Sequence, residues 1–253
     1  GMGIIVFVLA FLPQKDMQSM HIMRAEVPGP SVGKLVSKTT VTARILYIMY
    51  LVLTVVEVIF LLLGGMNLFD AIIHSFSTAG TGGFSNRNAS IAYYDSAYID
   101  AVITIFMVLF GVNFNLYYFA IMGNIKELFK NEELRVYIGI IASSVVLISI
   151  NILGQYGTIT KAVRYASFQV GAIITTTGFC TANYELWPEF SKCILLLIMV
   201  IGACAGSTGG GIKISRLVIM LKSIKREIQK MIHPQSVSIV KLNDKKVSEQ
   251  TIN

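Results

Sequence analysis

The sequence predicts an all-α integral membrane protein built from a recurring unit of helix, short re-entrant helix, loop and second helix. Three observations lead to this prediction. The 253 residues are 54% hydrophobic and only 14% charged, with a mean hydropathy of +0.67, whereas a soluble domain carries about 25% charged residues. Apolar runs of helical length recur along the chain. A shift of 95 residues also superimposes one half of the chain on the other.

The first elements predict one helix end and one full crossing. Gly3 to Leu12 is typical of the end of a membrane helix, and the polar stretch 14–44 follows it, with a turn at Pro28-Gly-Pro30. Ile45 to Leu63 is nineteen apolar residues interrupted only by Glu57, which is long enough to span a bilayer core. An ionisable group within a span is a functional candidate, although a protonated or paired structural carboxyl remains the alternative for Glu57.

Next comes a helix too short to cross. This short helix is predicted over Leu68 to Ser77, with Asp70 as its cap. The loop Thr78-Ala-Gly-Thr-Gly-Gly-Phe-Ser85 follows the helix directly. His74 on this helix is expected to pack or to form hydrogen bonds rather than to relay protons. Ala97 to Met122 then predicts a second full crossing.

The second half repeats this order. A membrane crossing is predicted over Val136 to Leu153, and a short helix over Lys161 to Ile174. The loop Thr175-Thr-Thr-Gly-Phe-Cys180 follows that short helix. The apolar run Cys193 to Ala205 has only thirteen residues, which cover roughly 20 Å of a core about 30 Å thick.

A glycine-rich break follows, Gly206-Ser-Thr-Gly-Gly-Gly211, and apolar sequence resumes at Ile212. Unwound backbone at membrane depth must be buried in protein or line a watery cavity, and broken helices mark ion and substrate paths in transporters. Close helix packing through glycine is the alternative. A phosphate-binding loop is excluded because Ile212 stands where that motif needs lysine.

The distribution of charge predicts orientation. Most of the 21 Lys and Arg residues lie in three segments: five in 14–44, three in 123–135 and nine in 213–253. Because basic segments favour the cytoplasmic side, these three should be cytoplasmic, and both short helices should enter the membrane from outside. The net charge of +7 therefore does not predict nucleic-acid binding. Three cysteines lack metal-ligand spacing and are expected to be unpaired packing residues. The sequence also lacks a catalytic constellation, which argues against an enzyme.

The internal repeat places Gly83-Phe84-Ser85 on Gly178-Phe179-Cys180, and Phe110 to Asn115 on Ala205 to Gly210. Asn113 and Asn115 thus lie where the other unit has its break. They are expected either to line a cavity or to form hydrogen bonds between helices.

The two loops suit a dehydrated cation. Backbone carbonyls can replace its water without a fixed charge that would trap it, and glycine permits the left-handed conformations that aim successive carbonyls inward. Threonine hydroxyls add oxygens, and the negative end of each short helix points toward the loop. Thr81 to Phe84 and Thr176 to Phe179 fit this chemistry. The fold class predicted is therefore that of a pore-loop cation channel.

Four segments resemble the Trk/Ktr potassium transporters, closest to the TrkH type: Ser77 to Ser85, Ile174 to Thr181, Arg24 to Pro30 and Gly206 to Lys213. The resemblance covers essentially the whole chain. It implies potassium uptake through one pore surrounded by four repeats, of which this chain holds the second and third, about half of a full transporter. On this basis the chain is expected to be a fragment, a split-gene product or a remnant. A non-conducting remnant that only binds lipid or partner subunits is the alternative function.

The resemblance also assigns residues. Gly83 and Gly178 take the central filter positions, with Gly82 as a register alternative, and Lys213 helps to close the gate electrostatically. The implied potassium filter comprises Thr81, Gly82, Gly83, Phe84, Thr175, Thr176, Thr177, Gly178 and Phe179. The implied gate comprises Gly206, Ser207, Thr208, Gly209, Gly210, Gly211 and Lys213.

The implied domains are the end of a preceding helix at 1–13, cytoplasmic linkers at 14–44 and 123–135, the second pore-loop repeat at 45–122, the third at 136–221 with its broken last helix, and a basic cytoplasmic segment at 222–253.

The expected partners follow from the same resemblance. They are K⁺ as the transported ion, membrane lipids, a second copy in a homodimer, and a cytoplasmic nucleotide-binding regulatory subunit of the TrkA kind. No covalently bound cofactor and no nucleic acid are expected. The implied location is the cytoplasmic (inner) membrane of a prokaryote, which the chain crosses several times. Basic and apolar residues alternate at helical spacing over 222–233, which predicts an amphipathic helix that contacts anionic lipid or the regulatory subunit.

Overall fold

The computed structural model describes residues 39–233, 241–243 and 245–246. The predictions for Gly3 to Leu12 and for Pro28-Gly-Pro30 lie outside these residues. The described part contains these elements: α1 Thr39–Leu63, α2 Leu68–Ala79, a 3-10 helix Ser90–Tyr94, α3 Ala97–Phe110, α4 Phe114–Ile121, α5 Ile125–Lys130, α6 Glu132–Tyr156, α7 Ile159–Ile174, a 3-10 helix Tyr184–Leu186, α8 Glu189–Ile201, α9 Ile214–Ile232, and the short strands β1 Lys241–Leu242 and β2 Lys245–Lys246, which pair antiparallel.

Two described helices are long and apolar enough to cross a membrane, Arg44–Leu63 within α1 and Glu132–Tyr156, which is α6. A third crossing results if α3 and α4 count as one span. Both long helices expose large apolar side chains along their length, among them Val55 and Ile150. In a membrane protein such side chains face lipid rather than water.

The predicted crossing from Ala97 to Met122 is not one straight helix, because α3 and α4 meet at an angle of 93°. The helix stops at Phe110, and the Asn113 side chain caps the start of α4 by accepting the Asn115 N–H at 3.0 Å. The freed carbonyls of Phe110 and Gly111 accept N–H groups from the chain between α8 and α9. Apolar composition conceals this bend, since the residues on both sides of it are apolar apart from Gly111 and the two asparagines.

The same order of elements occurs twice, at the spacing of the sequence repeat. Each time a long helix (α1, α6) precedes a short one (α2, α7), and a loop leads to a helix that breaks (α3, α8). The short helices end at Ala79 and Ile174, which are 95 residues apart. Asp70 does not cap α2, contrary to the prediction. Asn67 does so by accepting the Asp70 N–H at 2.8 Å.

Two apolar clusters lie behind the loops, one around α1, α2 and α3 and the other around α6, α7 and α8. The two units also pack on each other, since α3 lies against α7. The Arg164 guanidinium of α7 binds the buried Asp100 carboxylate of α3 at 2.7 Å. The loops at the ends of α2 and α7 are therefore held on one packed framework.

Candidate ion pathway

The two predicted filter loops have the same backbone shape. Thr81 and Thr176, at equivalent positions of the repeat, both have positive φ, +50° and +58°. Two residues later Gly83 and Gly178 also have positive φ, +68° and +89°. Positive φ is uncommon for a β-branched residue, so its occurrence at both threonines reflects a shared loop geometry rather than chance. Gly82 does not share this conformation.

The same three backbone hydrogen bonds form at the start of both loops. The donors are the N–H groups of Gly80, Thr81 and Gly82 in the first loop and of Thr175, Thr176 and Thr177 in the second. In the first loop they run to Phe76, Thr78 and Ser77 at 2.8, 3.0 and 2.8 Å, and in the second to Gly171, Ile173 and Ala172 at 3.2, 3.0 and 2.9 Å. Each loop thus turns back over the last turn of its short helix, whose partly negative end lies beneath it.

The loops lie against one another. A methyl group placed on Gly83 would overlap the carbonyl oxygen of Thr177, well inside the 3.0 Å that real Cβ contacts keep. Within the described residues, no N–H or hydroxyl donates to the carbonyls of Gly82, Gly83, Thr177 or Gly178. Carbonyls without donors are available to a cation.

A collar, formed by Asp70, Asn86, Arg87 and Tyr94, ties α2 to the chain that follows the first loop. The buried Asp70 carboxylate accepts bonds from Tyr94 at 2.6 Å, Arg87 at 2.8 Å and Asn86 at 2.5 Å. The Tyr94 hydroxyl, together with Arg87 and Asn86, holds the pKa of Asp70 well below its usual range. Burial and the bond to Asp70 raise the pKa of Tyr94 to about 12. The residue that was predicted to cap a helix instead anchors the returning chain.

His74 has a structural role, as expected. Its Nδ1 lies 2.7 Å from the Asp70 carbonyl oxygen and its Nε2 2.9 Å from the Ser85 hydroxyl. Because a carbonyl only accepts, Nδ1 carries the proton and Nε2 accepts from Ser85. Burial lowers the pKa of His74, which favours this neutral form. Its ring also packs on the ring of Phe179 from the second loop, 5.9 Å between centroids.

The two loops differ in their aromatic residue. Phe179 is fully buried, whereas Phe84, its equivalent, is 78% exposed. The second loop is also tied across the units, since its Cys180 carbonyl accepts the Ala92 N–H at 3.1 Å. The backbone repeats, therefore, while the side chains that support it do not.

The break between α8 and α9 covers residues 202–213, here called the break loop, and is wider than the predicted 206–211. Its two limbs pair through backbone hydrogen bonds: Ala203 N to Gly210 O at 3.3 Å, Ile212 N to Val200 O at 3.2 Å, Lys213 N to Ile201 O at 3.1 Å, and Ile214 N to Ala203 O at 3.2 Å. The bend between α3 and α4 supplies further partners, with Thr208 N and Cys204 N donating to Phe110 and Gly111. The loop is therefore an ordered hairpin that is largely buried among helices and exposed at Gly211 and Ile212.

The break loop touches both filter loops through the equivalent threonines. The Thr81 hydroxyl donates to the Thr208 carbonyl at 3.1 Å, and the Thr176 hydroxyl accepts the Gly210 N–H at 2.8 Å. A single short stretch, 208–210, thus bridges the bases of the two loops. Composition could not predict this contact, because it joins residues that are 34 and 127 positions apart.

Two charged residues accompany the break loop. Lys213 is buried and has φ +80°, and its ammonium donates to the Gly209 carbonyl within the loop. Glu133, at the start of α6, is also buried and accepts N–H groups from Ala205 and Ser215. Lys213 was predicted as a gate residue, whereas Glu133 was not, because its position in the first turn of a helix gives no sign of a distant contact.

Asn113 and Asn115 lie at the α3–α4 bend, and both are half-buried. Besides capping α4, the Asn113 side chain lies against Gly206 of the break loop, where an added Cβ would be 2.9 Å from its Oδ1. The bend and the break loop thus fit together at this asparagine.

Comparison with known proteins identifies the family to which the chain belongs. A family profile described as TrkH, cation transport protein, matches residues 1–253. The chain is 38% identical over 256 residues to the Trk system potassium uptake protein TrkH of Escherichia coli K12, covering 100% of this chain and 53% of that protein. To TrkG of the same strain the identity is 33% over 256 residues, with the same two coverages. The crystal structure of the potassium transporter TrkH from Vibrio parahaemolyticus matches with a TM-score of 0.81 and 34% identity, covering 96% of this chain and 50% of that one.

Apolar helices, paired threonine- and glycine-containing loops and a buried helix break define a helical membrane transport protein. The chain belongs to the TrkH family of cation transport proteins. This confirms the predicted fold class and the predicted family, which transports ions rather than catalysing a reaction. The chain spans about half the length of the curated relatives it matches.

Proposed function

We propose that this chain forms two walls of the selectivity filter of a potassium uptake transporter. The main support is the pair of loops with one backbone shape, which lie against one another at the ends of two short helices. Their carbonyls accept no hydrogen bond from any described residue. Those carbonyls can replace the water of a dehydrated cation. The names of the relatives, potassium uptake proteins, support K⁺ as that cation.

The filter residues are Thr81 to Phe84 in one loop and Thr175 to Phe179 in the other. Gly83, rather than Gly82, is the counterpart of Gly178, because Gly83 and Gly178 share the positive φ. The negative ends of α2 and α7 favour a cation beside the loops. Two of four walls come from this chain, and the rest of the transporter supplies the others.

The break loop is the gate of this pathway. The contacts of Thr208 and Gly210 with the two filter threonines support a position across the base of the filter. The loop has few large side chains and two paired limbs, so it can move as a unit once its bonds to the α3–α4 bend and to the filter threonines break. The gate residues are Gly206 to Gly211 with Lys213, whose buried ammonium opposes a passing cation.

The transporter lies in the cytoplasmic membrane of a prokaryote, with the basic segments inside. It works as a homodimer with a nucleotide-binding subunit of the TrkA kind, in keeping with the word system in the names of the relatives. The exposed apolar face of α9, including Leu221, Ile224 and Ile228, contacts lipid, while its lysines contact anionic headgroups or that subunit.

Rubidium uptake by the complete transporter tests the filter assignment. Gly83→Ser should lower the preference for K⁺ over Na⁺ about tenfold, the equivalent of 1.4 kcal/mol, since the new side chain overlaps the Thr177 carbonyl. Gly157→Ser is the matched control, because Gly157 has the same φ of +68° but open space around it and lies between α6 and α7. Unchanged ion preference in Gly83→Ser at normal membrane levels would reject the assignment.

A further inference from the structure

One carboxylate oxygen joins the two limbs of the break loop. Glu133 Oε1 accepts the Ala205 N–H at 2.6 Å and the Ser215 N–H at 3.2 Å. Ala205 lies on the limb that follows α8, and Ser215 is the second residue of α9. Since Glu133 belongs to neither limb, it clamps the base of the hairpin from a third helix.

An acidic residue in the first turn of a helix usually needs no special explanation, because it faces the positive end of the helix dipole. The neighbouring Glu132 fits that description, since its side chain is 30% exposed and binds Lys222. Glu133 does not fit it, because it is 4% exposed and binds backbone 72 and 82 residues away. A carboxylate is costly to bury unless it is hydrogen-bonded or paired, so its contacts must be formed for this arrangement to persist.

The electrostatics point the same way. Burial opposes both charges, and the attraction between the Lys213 ammonium, which is folded into the loop, and the Glu133 carboxylate offsets part of that cost. Lys213 also holds a φ of +80°, a conformation that residues with a side chain rarely adopt. The hairpin is thus a strained arrangement that needs an external tie.

We propose that Glu133 is a positioning residue for the gate, and that its carboxylate holds the break loop in place beneath the filter by binding both limbs at once. The role rests on the proposed gating function. When the carboxylate is lost, the loop is still held by the bonds between its limbs, by its backbone bonds to the α3–α4 bend and by the filter threonines, but nothing then ties Ala205 to Ser215 from a third helix. The loop should then leave its position more often.

Two variants and one control separate this role from a general loss of structure. Glu133→Ala removes the acceptor and the charge. Glu133→Gln keeps an acceptor oxygen but loses the charge that attracts Lys213. Glu132→Gln is the matched control, since it is the adjacent residue with the same chemistry and does not touch the loop.

Hydrogen exchange of the purified complete transporter gives a readout that needs no transport. The amides of 203–215 should exchange roughly 5- to 150-fold faster in Glu133→Ala, the range of a typical coupling between sites. Glu133→Gln should fall between Glu133→Ala and the unmodified protein, and the control should exchange like the unmodified protein. Amides of α7 should not change, which distinguishes local loosening from unfolding. Normal exchange over 203–215 in Glu133→Ala would overturn the proposal.

Rubidium flux into proteoliposomes, without any regulatory subunit, is the second readout. Basal flux should rise in Glu133→Ala at equal protein content and stay unchanged in Glu132→Gln. Faster exchange with unchanged flux would overturn the gating role of Glu133, leaving only the contact. If the unmodified transporter carries no rubidium either with or without the regulatory subunit, the proposed function fails instead, while the exchange measurement still tests the clamp.

Discussion

Replacing Thr176 by valine removes the hydroxyl that accepts the Gly210 N–H at 2.8 Å. Valine has the same shape, so the strained backbone at φ +58° stays as it was and only the hydrogen bond changes. The half-buried amide of Gly210 then has no acceptor, which costs about 1–3 kcal/mol. If this bond holds the loop in place, the loop should leave its position roughly 5- to 150-fold more often, and basal rubidium flux should rise accordingly.

The equivalent change in the other loop should do less. The single hydrogen of the Thr81 hydroxyl is shared between the Thr208 carbonyl at 3.1 Å and the Gly80 carbonyl at 2.8 Å. A carbonyl that loses one donor is tolerated better than an amide without an acceptor. Thr81→Val should therefore raise basal flux, but by a smaller factor than Thr176→Val.

The assay is rubidium flux into proteoliposomes that contain the complete transporter and no regulatory subunit. Thr176→Ser keeps the hydroxyl and should restore the flux of the unmodified protein. A fall in flux in Thr176→Val, or equal effects of valine and serine, would refute the reasoning. Such results would mean that the bond to Gly210 does not hold the loop.

Two further changes test the framework, both by thermal unfolding in detergent. Asp70→Asn should lower the melting temperature by roughly 2–8 °C at pH 7. Because the folded pKa of Asp70 is depressed below its ordinary 3.8, the carboxylate stabilises fully above about pH 4 and loses this effect as the pH falls further. The difference from the unmodified protein should thus shrink below pH 4, and a constant difference would contradict the ionic collar. Glu57→Ile should leave the melting temperature unchanged or raise it, since neither oxygen of the fully buried Glu57 has a hydrogen-bond partner among the described residues. The Thr78 hydroxyl turned toward it donates to the His74 carbonyl, and the equivalent position of the other unit is the buried Ile152. A drop of several degrees would mean that the Glu57 carboxyl has a bonding partner.

Composition and spacing were enough to predict the two loops, the break and the short helices. Threonine and glycine at positions 95 residues apart predicted the two loops, which have the same backbone conformation. Three consecutive glycines predicted the break between α8 and α9. The limits of the short helices were also close, with Lys161 to Ile174 predicted and Ile159–Ile174 found.

The features that were missed depend on contacts between distant parts of the chain. The bend at Gly111 forms because the break loop supplies donors for the freed carbonyls. Asp70 binds the returning loop rather than its own helix end, because Arg87 and Tyr94 reach it across the turn. Glu133 contacts residues that are 72 and 82 positions away. Local pattern cannot encode such partners, since they appear only when the helices are packed.

The close backbone contact inside the break loop has a consequence for protein engineering. A methyl group on Gly202 would collide with the backbone of Gly210 and Gly211, and one on Gly209 would meet Ala203 and the Thr175 carbonyl. No bulkier residue can enter these positions without rebuilding the hairpin. Anyone who wishes to make the pathway open more or less readily should therefore leave these glycines alone and alter the residues that surround them.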